Sequence, residues 1–368
     1  MDTQESSYKY LAIKDALTQE IDDGAYPHMT KLPGENKLAE TYGASVLTVR
    51  RALADMVHEG KVKRMQGKGT FVIKDGSEGS NGTNGFTNGI KAVSLIIPSY
   101  DESDTTIVRI IRGAQSYLTG VGYSLVVDCS HVNYIEEAEI LSRYQSDVLG
   151  GIILFSADPT ANKRKILDLT KRNIPHVLLD RSMDIFSCSF VSSYNTDGGF
   201  KITEHYIQNG HQRIAFIFTD LNLDTESSRL DGYRTAHEIY NTPYDSRLIY
   251  DWSLCEPETL RTFVQEYEPT ALLCVNDKTA LTAMSHLQGM GYRIPDDFSV
   301  SGFDDLDMIK HLSPALTTVA QDFDSMGREA ARLLIGQING TIGSTKLYLP
   351  MELIIRGSTG CIGGIRDV

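Results

Sequence analysis

The chain has 368 residues, 41% of them hydrophobic and 23% charged, with a net charge of -13. That length suits two or three domains, and the composition is that of an ordinary globular protein, which excludes a disordered or fibrous chain. No apolar run approaches the ~18 residues that a membrane span needs. Met1–Tyr10 is polar and has none of the basic and apolar regions of a secretion signal. A cytoplasmic protein without membrane contact is expected.

Five cysteines, at positions 129, 188, 255, 274 and 361, are scattered and form no CxxC pair, so neither a metal site nor a disulfide framework is expected, and no cofactor. The charge is unevenly spread. Residues 1–74 carry 11 basic and 10 acidic side chains, and the rest carry 24 and 38. Within 45–74 the balance is seven basic to two acidic. The acidic remainder repels nucleic acid, so any DNA contact belongs to the small basic segment.

In chain order, Tyr8 to Asp23 reads as an amphipathic helix, with Leu11, Ile13, Leu17 and Ile21 near helical spacing. Glu35 to Tyr42 reads as a second, short helix. Gly43 supplies a turn, and Ser45 is a good N-cap for a third helix that Gly60 ends. Lys61–Met65 and Thr70–Ile73 then form a hairpin around Gln66-Gly67-Lys68-Gly69. Three helices followed by a basic hairpin predict a winged helix-turn-helix head over residues 1–74. The third helix brings Thr48, Arg50 and Arg51 to a major groove, and the glycines of the hairpin admit phosphates closely.

Residues 75–90 are almost all Gly, Ser, Asn and Thr and predict a flexible linker. Beyond it, short apolar runs alternate with helical stretches: Val93–Ile97, Ser124–Val127, Gly151–Leu154 and His176–Leu179, then Ile214–Ile217, Ala271–Cys274 and Phe298–Ser301. That is the pattern of doubly wound parallel sheets. Two series joined near Ser192–Asn195 predict a two-lobed α/β body over residues 91–360, with 361–368 as a tail. A ligand is expected between the lobes, at the carboxyl ends of the strands.

Three segments carry the chemistry for such a ligand. Val275-Asn276-Asp277 follows an apolar run, Gly302-Phe303-Asp304-Asp305 ends another, and Arg229 begins a helix. Asn, Asp and Arg together donate to and accept from several hydroxyls. Asn276 and Asp277 equally suit a helix cap. Trp252, the only tryptophan, suits either a sugar-stacking platform or the core. Asp304 and Asp305 sit side by side on a turn, which does not make a nucleophile–base pair, so no enzyme is expected.

Leu32-Pro33-Gly34-Glu35-Asn36-Lys37-Leu38-Ala39, Thr48-Val49-Arg50-Arg51-Ala52-Leu53 and Gln66-Gly67-Lys68-Gly69-Thr70-Phe71-Val72 closely resemble the GntR family of bacterial regulators. The resemblance implies DNA contacts from Asn36, Ser45, Thr48, Arg50, Gln66 and Gly67, with Arg51 and Lys68 beside them. The chain departs from the family at Ala44-Ser45-Val46, where Val-Ser-Arg is usual. Val46 cannot replace that arginine, but suits a thymine methyl.

Leu179-Asp180-Arg181, Gly210–Ala215, Asn276-Asp277 and Pro314–Gln321 resemble the effector domain of the LacI/GalR family, with its periplasmic-binding-protein fold. That resemblance implies ligand contacts at Arg229, Asn276, Asp304 and Trp252, and at Asp180 and Arg181. Pro98, Ser99 and Tyr100 would line the other wall. The head and body together resemble regulators of the arabinose-repressor type. The pairing implies a homodimeric repressor of carbohydrate-utilisation genes, released from operator DNA by a monosaccharide, with L-arabinose first among the candidates. A purine-sensing corepressor-type regulator and a non-regulatory sugar-binding protein are the alternatives.

Overall fold

The structure, a computed structural model, describes residues 2–26, 30–58, 61–65, 69–72, 91–99, 105–144, 149–181, 183 and 188–362. The expected linker at 75–90, the turn residues Gln66, Gly67 and Lys68, Tyr100, and the tail beyond 362 lie outside the described residues. The chain forms two compact units, Met1–Asn88 and Gly89–Val368.

In the first unit, α1 (Asp2–Asp22), α2 (Glu35–Thr41) and α3 (Val46–His58) precede the antiparallel strands β1 (Val62–Met65) and β2 (Gly69–Val72). Ile13, Leu17 and Ile21 recur every four residues on α1 and face Val49, Ala52, Leu53 and Met56 on α3, so each helix turns one apolar stripe into a shared core. Ser45 Oγ accepts the Thr48 amide at 3.1 Å and caps α3. Residues 30–32 run extended beside β2: the Leu32 amide donates to Thr70 O and the Val72 amide to Thr30 O, at 2.8 and 2.9 Å. This third edge of the wing has no periodicity to betray it in the sequence.

The second unit holds two six-stranded sheets. The first is ordered β13-β7-β6-β5-β3-β4, from β3 (Lys91–Ile97), β4 (Tyr123–Cys129), β5 (Ile152–Leu154), β6 (His176–Leu179), β7 (Ser189–Ser193) and β13 (Lys346–Leu349). All its pairings are parallel. Around it lie α4 (Thr105–Gly120), α5 (Tyr134–Arg143), α6 (Lys163–Lys171) and α11 (Phe323–Ile338). The second sheet is ordered β14-β12-β11-β10-β8-β9, from β8 (Ile214–Phe218), β9 (Ile249–Asp251), β10 (Ala271–Cys274), β11 (Ser299–Asp304), β12 (Thr317–Ala320) and β14 (Glu352–Ile354). Its helices are α7 (Asn195–Gln208), α8 (Asp224–Ile239), α9 (Pro257–Tyr267) and α10 (Asp277–Gly289). Among the described residues of this unit, only β14 runs antiparallel to its neighbour, so the two sheets are mostly parallel.

The sequence predicts one junction between the lobes, near Ser192–Asn195. The chain crosses there, and again after β12 and between β13 and β14, because α11 and β13 return to the first lobe. Three connections therefore join the two lobes. They also align the carboxyl ends of both sheets on one cleft.

Candidate functional site

The cleft has a volume of about 210 Å³. Its first wall is Phe155 after β5, Asp180 and Arg181 after β6, and Thr106 at the start of α4. Facing them are Arg229 and Glu226 on α8, Asn276 after β10 and Asp304 ending β11. Gln321 and Phe323, on the second crossing, close it.

Arg229 is held on every side. Its Nε donates to Asn195 Oδ1 at 2.8 Å, its Nη1 donates to the Val275 carbonyl, and its Nη2 lies 4.0 Å from Asp304 Oδ1. The guanidinium sits 4.4 Å over the Phe303 ring. It reaches this position because α7 and α8 touch backbone to backbone: a Cβ at Gly199 would strike the Arg229 carbonyl. Asn195 itself donates to Ser193 O at 3.1 Å, which ties the arginine to the first crossing.

Asp304 and Asp180 both sit in backbone regions that non-glycine residues avoid, with φ of 109° and 62°. Such conformations persist where the surroundings impose them, often at binding sites. Asp304 Oδ1 accepts Gln321 Nε2 at 2.6 Å. Burial pushes the Asp180 carboxyl above the usual carboxylate range, against the pull of Arg229 and Arg181. Its buried Oδ1, like the Oε1 of Gln321, meets no donor among the described residues. Arg181 donates from Nη1 to the carbonyls of Ser156 and Ala157, at 3.0 and 2.5 Å, and its guanidinium stands 5.5 Å from the Phe155 ring. Asn276 uses its Oδ1 to cap α10, accepting the Thr279 amide at 2.8 Å, so the cap leaves Nδ2 for other work. Among the described residues, no group of three or more His, Cys, Asp or Glu side chains is arranged to hold a metal ion.

On the head, the exposed face of α3 forms a separate groove lined by Tyr10, Ser45, Leu47, Thr48, Arg50 and Arg51. Arg50 Nε and Nη2 both donate to Glu35 Oε2, at 3.1 and 2.9 Å, so α2 orients it. The Arg51 guanidinium lies 4.3 Å over the Tyr10 ring.

Residues 9–72 match the model of the bacterial regulatory proteins, gntR family, and residues 203–359 that of the periplasmic binding protein-like domain. The arabinose metabolism transcriptional repressor of Geobacillus stearothermophilus is 32% identical over 366 residues, covering 95% of this chain and 97% of that one. The chain belongs to the family of these transcriptional repressors.

Two solved structures share the body's fold. A putative ribose operon repressor from Burkholderia thailandensis superposes with a TM-score of 0.64 at 26% identity, over 72% of this chain and 98% of that one. The transcription regulator CcpA of Lactococcus lactis gives 0.66 at 22%, over 74% and 100%.

The structure of this repressor gathers Asp180, Arg181, Arg229, Asn276 and Asp304 around one cleft. Trp252 is not among them, and its assignment as a stacking platform is corrected. The indole is 2% exposed, donates from Nε1 to Glu256 O at 3.1 Å, and packs edge-on against His286 in the second lobe's core. It follows the edge strand β9, and its packing and its N–H are both taken up there. The aromatic walls of the cleft are Phe155 and Phe323 instead. Ser99 follows β3 but does not line the cleft.

Asp277 and Asp305 also belong to the framework. Asp277 is fully buried and accepts the Leu306 amide and the Thr318 hydroxyl, at 2.9 and 2.7 Å. Asp305 pairs with Arg356 at 2.5 Å. On the head, Val46 is half-buried and packs against the core. Asn36 is exposed on the first turn of α2 but lies outside the groove.

Proposed function

We propose that this repressor acts in the cytoplasm as a homodimer, holding operator DNA with head residues 1–74 and letting go when a monosaccharide enters the cleft of body residues 91–360. Residues 75–90 serve as the linker. The observation that carries the sugar reading is the inventory of the cleft. Two buried acceptors, Asp180 Oδ1 and Gln321 Oε1, lack donors among the described residues and share the cleft with the oriented Arg229 and Asn276. A ligand there gains most by offering several hydroxyls, each both donor and acceptor. Phe155 and Phe323 suit the apolar faces of a sugar ring. The volume of about 210 Å³ falls below the ~300 Å³ at which pockets for drug-sized ligands begin, which suits a small ligand.

L-arabinose is the first candidate, since the relative named above is a repressor of arabinose metabolism. Asp180, Arg181, Arg229, Asn276 and Asp304 would bind the sugar. Ser45, Thr48, Arg50 and Arg51 would read DNA, with Asn36, Gln66, Gly67 and Lys68 on the flanking backbone. Calorimetric titration of the full chain with L-arabinose, D-xylose, D-ribose, D-galactose and hypoxanthine tests the ligand. Binding of one sugar, with loss of operator binding at the same concentration, is expected. Binding of hypoxanthine alone would replace this reading with the corepressor one.

A further inference from the structure

α3 sorts its side chains by face. Val46, Val49, Ala52, Leu53 and Met56 pack into or against the head core. Leu47 goes the other way and is 74% exposed, on the first turn of the helix. Arg50 and Arg51 follow it by three and four residues, so all three share one face. The groove they line, with Tyr10, Ser45, Thr48 and Ala54, therefore sets apolar surface beside two guanidiniums. A lone exposed leucine needs no explanation by itself. This one stands between two braced guanidiniums and the hydroxyls of Ser45 and Thr48, in the basic segment of an otherwise acidic chain.

We infer that Leu47 is a base-reading residue that packs on the C5-methyl group of a thymine in the major groove. The inference rests on the DNA-binding reading above and adds the base. The charge around the groove selects a polyanion as its occupant. Among the base edges of the major groove, the thymine methyl is the apolar group. An apolar side chain on the entering turn thus has one base to satisfy it. Arg50 and Arg51, one turn on, take guanine edges or phosphates beside it.

The test uses the full chain and random-sequence duplex DNA. Duplexes retained by the wild-type protein are sequenced, and each thymine of the enriched site is replaced in turn by deoxyuridine, which lacks only the methyl group. One thymine in each half-site is expected to matter, its replacement weakening binding by roughly three- to fivefold, the size of one buried methyl. L47A is expected to bind thymine and deoxyuridine duplexes alike. Its exposed position keeps the fold out of the comparison, and sedimentation checks that its oligomeric state is that of the wild type. An enriched site whose deoxyuridine penalties are the same in L47A overturns the role of Leu47 while leaving DNA reading intact. A change of oligomeric state in L47A makes the residue a protein contact and overturns it too. No enrichment of any sequence removes DNA reading and this inference together.

Discussion

Asp180 keeps a carboxyl group in a buried part of the cleft, where its Oδ1 meets no donor among the described residues. Burial raises its pKa above the ordinary 3.8. An acid whose folded-state pKa is raised favours folding fully below its unfolded value, and that contribution is lost as pH rises through the folded value. Folding is therefore favoured less at neutral than at acid pH, a cost that the proposed sugar contact would explain. Asp180→Asn is expected to raise the melting temperature at pH 7 and to weaken sugar binding by about 1–3 kcal/mol, because an amide restores only part of the acceptor. Thermal denaturation and titration of the same sample read both effects. An unchanged sugar affinity would remove Asp180 from the site. Trp252 separates the other way. Trp252→Phe is expected to cost about 1–3 kcal/mol of stability, through lost packing and the lost indole donor, while sugar affinity stays at the wild-type value.

Pairs of elements place the groups that act. α7 and α8 cross at Gly199 and Gly232, and a Cβ at Gly232 would strike the Thr196 carbonyl. Gly232→Ala is expected to push the helices apart, at about 1–3 kcal/mol of overpacking, and to carry Arg229 off its seat on Asn195. Sugar affinity should fall with stability, whereas the head's melting should not change. On the head, Ser45→Ala removes the cap of α3 and is expected to cost about 1 kcal/mol of head stability. Operator affinity, measured by mobility shift, should fall with it.

At the scale of the whole molecule, the function is a coupling between two bound ligands. Sugar must lower operator affinity by the same factor by which operator lowers sugar affinity, a factor worth about 1–3 kcal/mol in typical cases. Titrating each ligand in the presence of the other measures that factor twice, and tighter operator binding with sugar would reverse the assigned sign. Arg229→Ala is expected to yield a repressor that holds DNA normally and responds to no sugar concentration that induces the wild type. The proposed homodimer should protect an inverted repeat in a footprint, its half-sites one helical turn or a multiple apart.

Much of this was legible in the sequence because it depends on neighbours along the chain. Ile13, Leu17 and Ile21 declare a helical stripe, Ser45 declares a cap, and the apolar runs that became β3, β6, β8 and β10 declare buried parallel strands. Asn276 and Asp304 stood out because polar residues at the ends of such runs face a cleft, and Arg229 because it follows a polar loop into a helix. Tertiary structure decided the rest. β7 and β12 are rich in Ser and Thr rather than continuously apolar, and β13 and β14 pair with partners far away in the chain. Nothing local therefore shows that α11 and β13 return to the first lobe and turn one junction into three. Trp252 looks the same in sequence whether its indole meets a sugar or the Glu256 carbonyl. Val46 and Leu47 are adjacent and both apolar, and only the packing of the head half-buries one against the core and leaves the other exposed in the groove. Periodicity and capping act over a few residues and are written in order along the chain. Which side chains share a cleft depends on contacts between distant segments, and those exist only once the chain has folded.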